Sequence, residues 1–125
     1  MSAHARLLAA LVATLALAAP ASAQPWPSKP IKLVVGFAAG GVADVTARVV
    51  AQKLSDQLGQ PVVVDNRPSA GGIVAAEAVA KAAPDGTTLL LMSNGNAVSA
   101  SLFRSLPYDT LADFAPVSTL GFFDV

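Results

Sequence analysis

Short apolar runs that each end in a small-residue loop and are followed by helical spacing constrain this chain more than any other feature. Ile31-Lys32-Leu33-Val34-Val35-Gly36-Phe37 has the β-branched look of a strand buried on both faces. Ala38-Ala39-Gly40-Gly41 breaks it, and from Asp44 to Leu58 the positions Ala47, Val50, Ala51, Leu54 and Leu58 recur at helical spacing, with Arg48, Gln52, Ser55 and Asp56 opposite. Gly59 fits a left-handed helix cap and Pro61 stops the helix from continuing. The grammar then repeats. Val62 to Asp65 reads as a second strand, residues 66–72 as a loop, and Ile73 to Ala83 as an alanine-rich helix carrying a Glu77 to Lys81 pair. After the Pro84-Asp85-Gly86 turn, Thr87 to Met92 is a third strand, Ser93 to Asn96 a polar loop, and Ala97 to Arg104 a weaker helix. Thr110 to Phe114 reads as one helical turn and Ala115 to Leu120 as a further strand. Strands alternating with helices predict an α/β fold, a doubly wound, mainly parallel sheet with right-handed crossovers.

Ahead of this pattern stands a different kind of segment. A basic start ending at Arg6, the apolar stretch Leu7 to Ala19 and the small residues Ala21-Ser22-Ala23 have the form of an export signal cleaved after Ala23. Thirteen residues closed by Pro20 are too few for a membrane span, which needs about 20. Removing 23 of the 125 residues leaves 102, read as residues 24–125 of a protein free in the exported compartment, which in a bacterium is the periplasm. The seven Lys and Arg that remain are scattered singly against eight acidic residues, which gives no electrostatic footprint for nucleic acid.

The absent residues exclude as much. The chain has no cysteine, and its one histidine is His4, so beyond the signal there is no disulfide, thiol nucleophile, His base or His/Cys metal site. The acidic residues show no paired or metal-ligand spacing, and neither a metal nor a cofactor is expected. An exported enzyme using Asp44 or Asp65 as a general base is an alternative, but it needs a second catalytic group that the sequence does not display.

In an open parallel sheet, ligands gather outside the carboxyl ends of the strands. Loops 38–43, 66–72 and 93–96 belong at that edge and are rich in Gly, Ala, Ser and Asn. Glycine admits close approach to the backbone, and helix N-termini supply free N–H donors, so such an edge suits a small anion held by main-chain groups. Taken singly, each loop also fits a plain βα turn. Asp44 fits a helix cap or dipole partner, Arg67 a structural ion pair, and Trp26 and Tyr108 packing. The spacing of Gly36, Gly40 and Gly41 matches neither a dinucleotide fingerprint nor a Walker loop.

Several segments taken in order resemble a known family. They are Trp26 to Val35 (WPSKPIKLVV), Phe37 to Asp44 (FAAGGVAD), Gly59 to Pro68 (GQPVVVDNRP), Ala70-Gly71-Gly72, Ala83 to Leu90 (APDGTTLL), Leu106 to Asp109 (LPYD) and Asp113 to Val117 (DFAPV). The family is that of the tripartite tricarboxylate transporter substrate-binding proteins, the Bug family of periplasmic receptors. The resemblance implies a Venus-flytrap receptor, a type II periplasmic-binding-protein fold of two lobes, that captures a small carboxylate and presents it to membrane transporter subunits without catalysing a reaction. It implies that this chain is the N-terminal part of lobe 1, incomplete, with the hinge and lobe 2 absent, and that alone it is an inactive or weakly binding fragment. Carried over, the ligand-binding positions are Ala39, Gly40, Gly41 and Val42 of the first loop, Asp44 at its helix start, and Ser93 and Asn94 after the third strand. Relatives often carry Pro at one or both of the positions of Ala38 and Ala39 and Thr or another small polar residue at that of Ala43, so the resemblance does not carry over which carboxylate is preferred here.

Overall fold

A computed structural model of the chain describes residues 25–121. The expected export signal and its cleavage site lie outside the described residues. Three strands form one parallel sheet in the order β2-β1-β3: β1 (Ile31–Val35), β2 (Val62–Asn66) and β3 (Thr88–Leu91). Between and after them lie α1 (Val42–Leu58), α2 (Ile73–Ala80) and α3 (Asn94–Leu102), with a single 3-10 turn over Ala70–Gly72. The register sets Ile31, Leu33 and Val35 beside Val62 and Val64 on one side and Leu89 and Leu91 on the other. These residues form one face of the sheet, and Ala43 and Ala47 of α1 pack into it. Val34 is buried on the opposite face, where α2 packs across β1 and β3 with Ala75 and Ala76 inward. Helices on both faces are what two right-handed crossovers in opposite directions produce. Because α2 covers β1 and β3 and not β2, Val63 on that face stays exposed.

The ends of the elements follow local chemistry. Gly59 takes a left-handed conformation (φ 66°, ψ 15°) and returns its N–H to Ser55 O at 3.0 Å, which closes α1 as expected from the sequence. The Glu77–Lys81 ion pair forms on α2, which ends at Ala80, three residues earlier than its periodicity suggests, because Lys81 and Ala82 already turn back onto Glu77 O and Val79 O. Four other boundaries, at the end of β1, the start of α1 and both ends of α3, differ by two or three residues. β1 stops at Val35, since Gly36 turns beneath the 3-10 segment. α1 begins two residues before Asp44, and residues 94–96, expected as loop, are the first turn of α3, which ends at Leu102 and not at Arg104.

One expected strand is absent among the described residues. Ala115 to Leu120 is exposed and pairs with none of the three strands, with Val117 83% accessible. Before it, Asp109 accepts the N–H groups of Leu111 (2.8 Å) and Ala112 (2.9 Å), and Asp113 N–H reaches Asp109 O at 3.1 Å. That is a single turn, as the sequence suggests, and Tyr108 is buried edge-to-face against Phe114 beside it.

Two backbones meet at Gly36. A Cβ placed there would lie 2.9 Å from Gly72 Cα, a separation that side chains do not tolerate. Gly36→Ala is therefore expected to force the β1 and 3-10 segments apart and cost roughly 1–3 kcal/mol. Gly121→Ala, with open space around it, should be neutral. Urea unfolding of the two variants checks this, and equal midpoints would contradict it.

Candidate functional site

Parallel strands place the loops after β1, β2 and β3 along one edge, and each leads into a helix N-terminus. The chain leaves β1 toward β2 and later crosses to β3, so β1 and β3 flank the point where the winding reverses. Ligands of open α/β sheets bind at such a crevice. Of the residues proposed from sequence, Ala39, Gly40, Gly41 and Val42 lie exposed at the β1 side of that point. Ser93 and Asn94 lie at its β3 side, Ser93 as the cap of α3 and Asn94 as its exposed first residue. The fold thus brings both sets to the same edge on neighbouring strands.

Asp44 has a definite task. Its side chain is buried at 3% exposure, and both carboxylate oxygens are occupied. Gly40 N–H donates to Oδ2 at 2.8 Å and Arg48 Nε to the same oxygen at 2.9 Å, while Asn66 Nδ2 donates to Oδ1 at 3.0 Å. Asn66 also donates to Phe37 O (3.1 Å) and accepts from Arg48 Nη2 (3.2 Å). One carboxylate therefore joins the first loop, α1 and the end of β2. The Arg48 guanidinium, followed by the Gly40 N–H, holds the Asp44 carboxyl down to about 2, against burial, which pushes the other way. Such a group is a poor general base near neutral pH. Asp65, the other candidate base, pairs with Arg67 at 3.0 Å, the structural ion pair that the sequence suggested.

With Gly40 N–H committed to Asp44, the free donors are those of the helix start. Gly41 caps α1 in an extended conformation without a side-chain hydrogen bond, and the first helical bond is Val45 N–H to Gly41 O at 2.9 Å. The N–H groups of Val42, Ala43 and Asp44 consequently point out of the first turn toward the edge. They carry the positive end of a 17-residue helix. This arrangement can hold a carboxylate by main-chain donors with no cationic side chain.

Asn96 and Asn66 are the residues that sequence reasoning did not single out. Asn96 is buried, accepts Ser93 N–H at 3.0 Å and donates to Gly71 O at 3.3 Å, which ties the α3 cap to the loop after β2. Gly71 and Gly72 both have positive φ, and a Cβ on Gly72 would lie 3.2 Å from Asn96 Nδ2. The usable signal was an Asn at each strand or loop end, where a side-chain amide can satisfy backbone groups of two segments at once. Trp26 lies at the other end of the sheet, its Nε1 donating to Asp85 O at 3.0 Å. Among the described residues no three His, Cys, Asp or Glu side chains converge as metal ligands.

The depressed Asp44 titration makes a pH prediction. A carboxyl held below its ordinary value near 4 stabilises the fold above that value, and the contribution is lost as pH falls toward 2. Asp85, lowered by Lys29 and then by Thr87, adds a second contribution of the same sign. The melting temperature should fall on acidification from about pH 5 to pH 2, and Asp44→Asn should lower it at pH 7 and flatten part of that slope. An unchanged acid slope in Asp44→Asn would contradict the assignment.

Known proteins resemble this chain in sequence and in fold. Residues 46–123 match the family described as tripartite tricarboxylate transporter family receptor. Protein BugT of Bordetella pertussis is 51% identical over 121 residues, which cover 93% of this chain and 37% of BugT. This chain therefore spans little more than a third of that relative. Among solved structures, the periplasmic binding protein BugD is 41% identical with a TM-score of 0.69, covering 73% of this chain and 30% of that one. MatC from Rhodopseudomonas palustris, solved with bound malate, is 40% identical with a TM-score of 0.68, covering 76% and 33%. A third, an R. palustris protein solved with adipate, is also 40% identical, with a TM-score of 0.63 over 67% and 28%. The fold is that of part of a periplasmic binding protein, and the chain belongs to the tripartite tricarboxylate transporter receptor family.

Proposed function

We propose that these residues form part of lobe 1 of a periplasmic solute-binding protein that captures a small carboxylate for a tripartite transporter. The observation that carries the reading is the uncapped first turn of α1, with free N–H groups at Val42, Ala43 and Asp44 beside the winding reversal. Malate and adipate in the relatives MatC and the R. palustris protein favour a dicarboxylate class. In this reading Gly40 and Gly41 keep the loop free of side chains so that a carboxylate reaches the donors. Ala39 lines the approach, Val42 contributes an N–H, and Ser93 and Asn94 face the ligand from the β3 side. The Asp44 carboxylate positions the loop and does not touch the ligand, while its main-chain N–H is one of the donors.

The same reading makes residues 1–23 an export signal cleaved after Ala23 and residues 24–125 the beginning of the binding domain. The protein acts by binding, without catalysis, and delivers its ligand to membrane subunits of the transporter. One lobe leaves a carboxylate hydrated on its open side, so the 125-residue chain alone should bind no tighter than roughly millimolar.

Titrating the 15N-labelled chain with malate and with adipate in the millimolar range tests the reading. The amides of Gly41 to Asp44, Ser93 and Asn94 are expected to shift first. Val42→Pro is the sharper probe. Gly41 (φ −81°, ψ 172°) already has the extended conformation that precedes proline, and the first helical position accepts proline, so the helix stays while one donor is deleted. Its affinity should fall about tenfold or more, the worth of one hydrogen bond to a charged group. Shifts confined to other surfaces, or full affinity in Val42→Pro, would sink the proposal.

A further inference from the structure

The loop after β2 supplies none of the proposed ligand contacts, yet both ligand-facing loops are fastened to it. On the β1 side, Asn66 at its root donates to Phe37 O and to Asp44 Oδ1. On the β3 side, Gly71 O accepts the amide of Asn96 at 3.3 Å. Glycines make that second contact possible. A Cβ on Gly71 would collide with Ser99 Oγ, one on Gly72 would stand 3.2 Å from Asn96 Nδ2, and one on Gly95 would stand 3.6 Å from Gly71 Cα. Gly72 in turn rests on Gly36, directly before the first loop. The turn itself is held in place by Ser69, whose carbonyl accepts Gly72 N–H and whose hydroxyl accepts Val74 N–H, both at 3.1 Å. The separation of the two ligand-facing loops is therefore set through residues 66–72 and, on the β3 side, through the buried Asn96 side chain.

Capping explains only half of what Asn96 does. A capping box needs an acceptor at the third helical position, and Asn96 Oδ1 supplies it to Ser93 N–H at 3.0 Å. The Nδ2 group turns instead to Gly71 O and serves no group of α3. An amide meets both demands because it carries an acceptor and a donor on one side chain. We propose that Asn96 is a positioning residue for the β3 half of the ligand edge and that its contact with Gly71 sets where Ser93 and Asn94 stand relative to the α1 donors. This role rests on the carboxylate reading above and deepens it. The first loop is fastened separately by Asp44 and Asn66, so Asn96 acts on the second loop alone. An acid with one carboxylate, seated on the first turn of α1, has no group for the β3 side to hold, whereas a dicarboxylate has. Asn96 thereby governs the preference for acids with a second polar end.

The test titrates the 15N-labelled 125-residue chain with acetate and with malate, in the parent, Asn96→Ala and Ser99→Ala. In the parent, acetate should shift the amides of Gly41 to Asp44 alone, and malate those of Ser93 and Asn94 as well. Asn96→Ala should bind acetate like the parent, but lose the malate shifts at Ser93 and Asn94 and bind malate about threefold more weakly or worse, the worth of one modest hydrogen bond. Ser99→Ala, buried on the same face of α3 but outside the tie, should match the parent. A general loss of stability weakens both acids alike and cannot produce this split. Residual dipolar couplings of the ligand-free chains report the angle between α3 and the sheet. They should change in Asn96→Ala and also in Asn96→Asp, which keeps the acceptor for Ser93 and lacks only the donor. The proposal is overturned if malate still shifts Ser93 and Asn94 in Asn96→Ala, if both acids weaken equally, or if α3 keeps its orientation in both variants. Absence of acetate shifts at Gly41 to Asp44 in the parent would instead sink the carboxylate reading, and the orientation of α3 alone would then decide the role of Asn96.

Discussion

The Asp44 carboxylate is the interaction on which the carboxyl edge of this sheet depends. It is buried and fully occupied, by the Gly40 N–H, the Arg48 guanidinium and the Asn66 amide. Each partner belongs to a different segment, so one side chain fixes the loop after β1, the first turns of α1 and the last residue of β2. Removing it would leave the Gly40 N–H and the Asn66 amide short of an acceptor, and a glycine loop without that anchor has more conformations to lose on binding. The loop is thus preorganised by charge and not by bulk. That matters because its residues Ala38 to Gly41 carry too little side chain to hold a shape by packing.

A second consequence concerns which main-chain groups remain available. Asp44 sits three residues after the cap and turns back to Gly40, one residue before the cap, instead of covering the helix end from outside. The N–H groups of the first turn therefore stay open while the residue preceding them is locked. In the proposed function, a carboxylate arriving there meets donors already aligned and the positive end of the α1 dipole. The arrangement needs no histidine, cysteine or lysine, in keeping with a sequence that offers no histidine or cysteine after His4.

Much of this was legible in the sequence, for identifiable reasons. Long, regular signals survived intact: the apolar runs of β1, β2 and β3, the helical period of α1, and Gly59 as its cap. The order of motifs from Trp26 to Val117 identified the family. What sequence could not supply was contact between distant segments. Asp44 and Asn66 are 22 residues apart and Asn96 and Gly71 are 25 apart, and no local pattern states that they touch. Ala115 to Leu120 has strand composition but no ladder partner among the described residues, because β structure is a property of pairs and composition is a property of one segment. The polar run Ser93 to Asn96 was read as loop for the opposite reason. Its side chains are those of a turn, yet a reciprocal contact between Ser93 and Asn96 makes it a helix start.

The central claim is that Asp44 takes up the Gly40 N–H and leaves the first-turn N–H groups of α1 free. Residue-resolved hydrogen exchange of the unliganded chain near neutral pH measures that directly. The account predicts a protected Gly40 amide beside fast-exchanging Val42 and Ala43 amides. Protection of Val42 and Ala43 together with rapid exchange at Gly40 would contradict it.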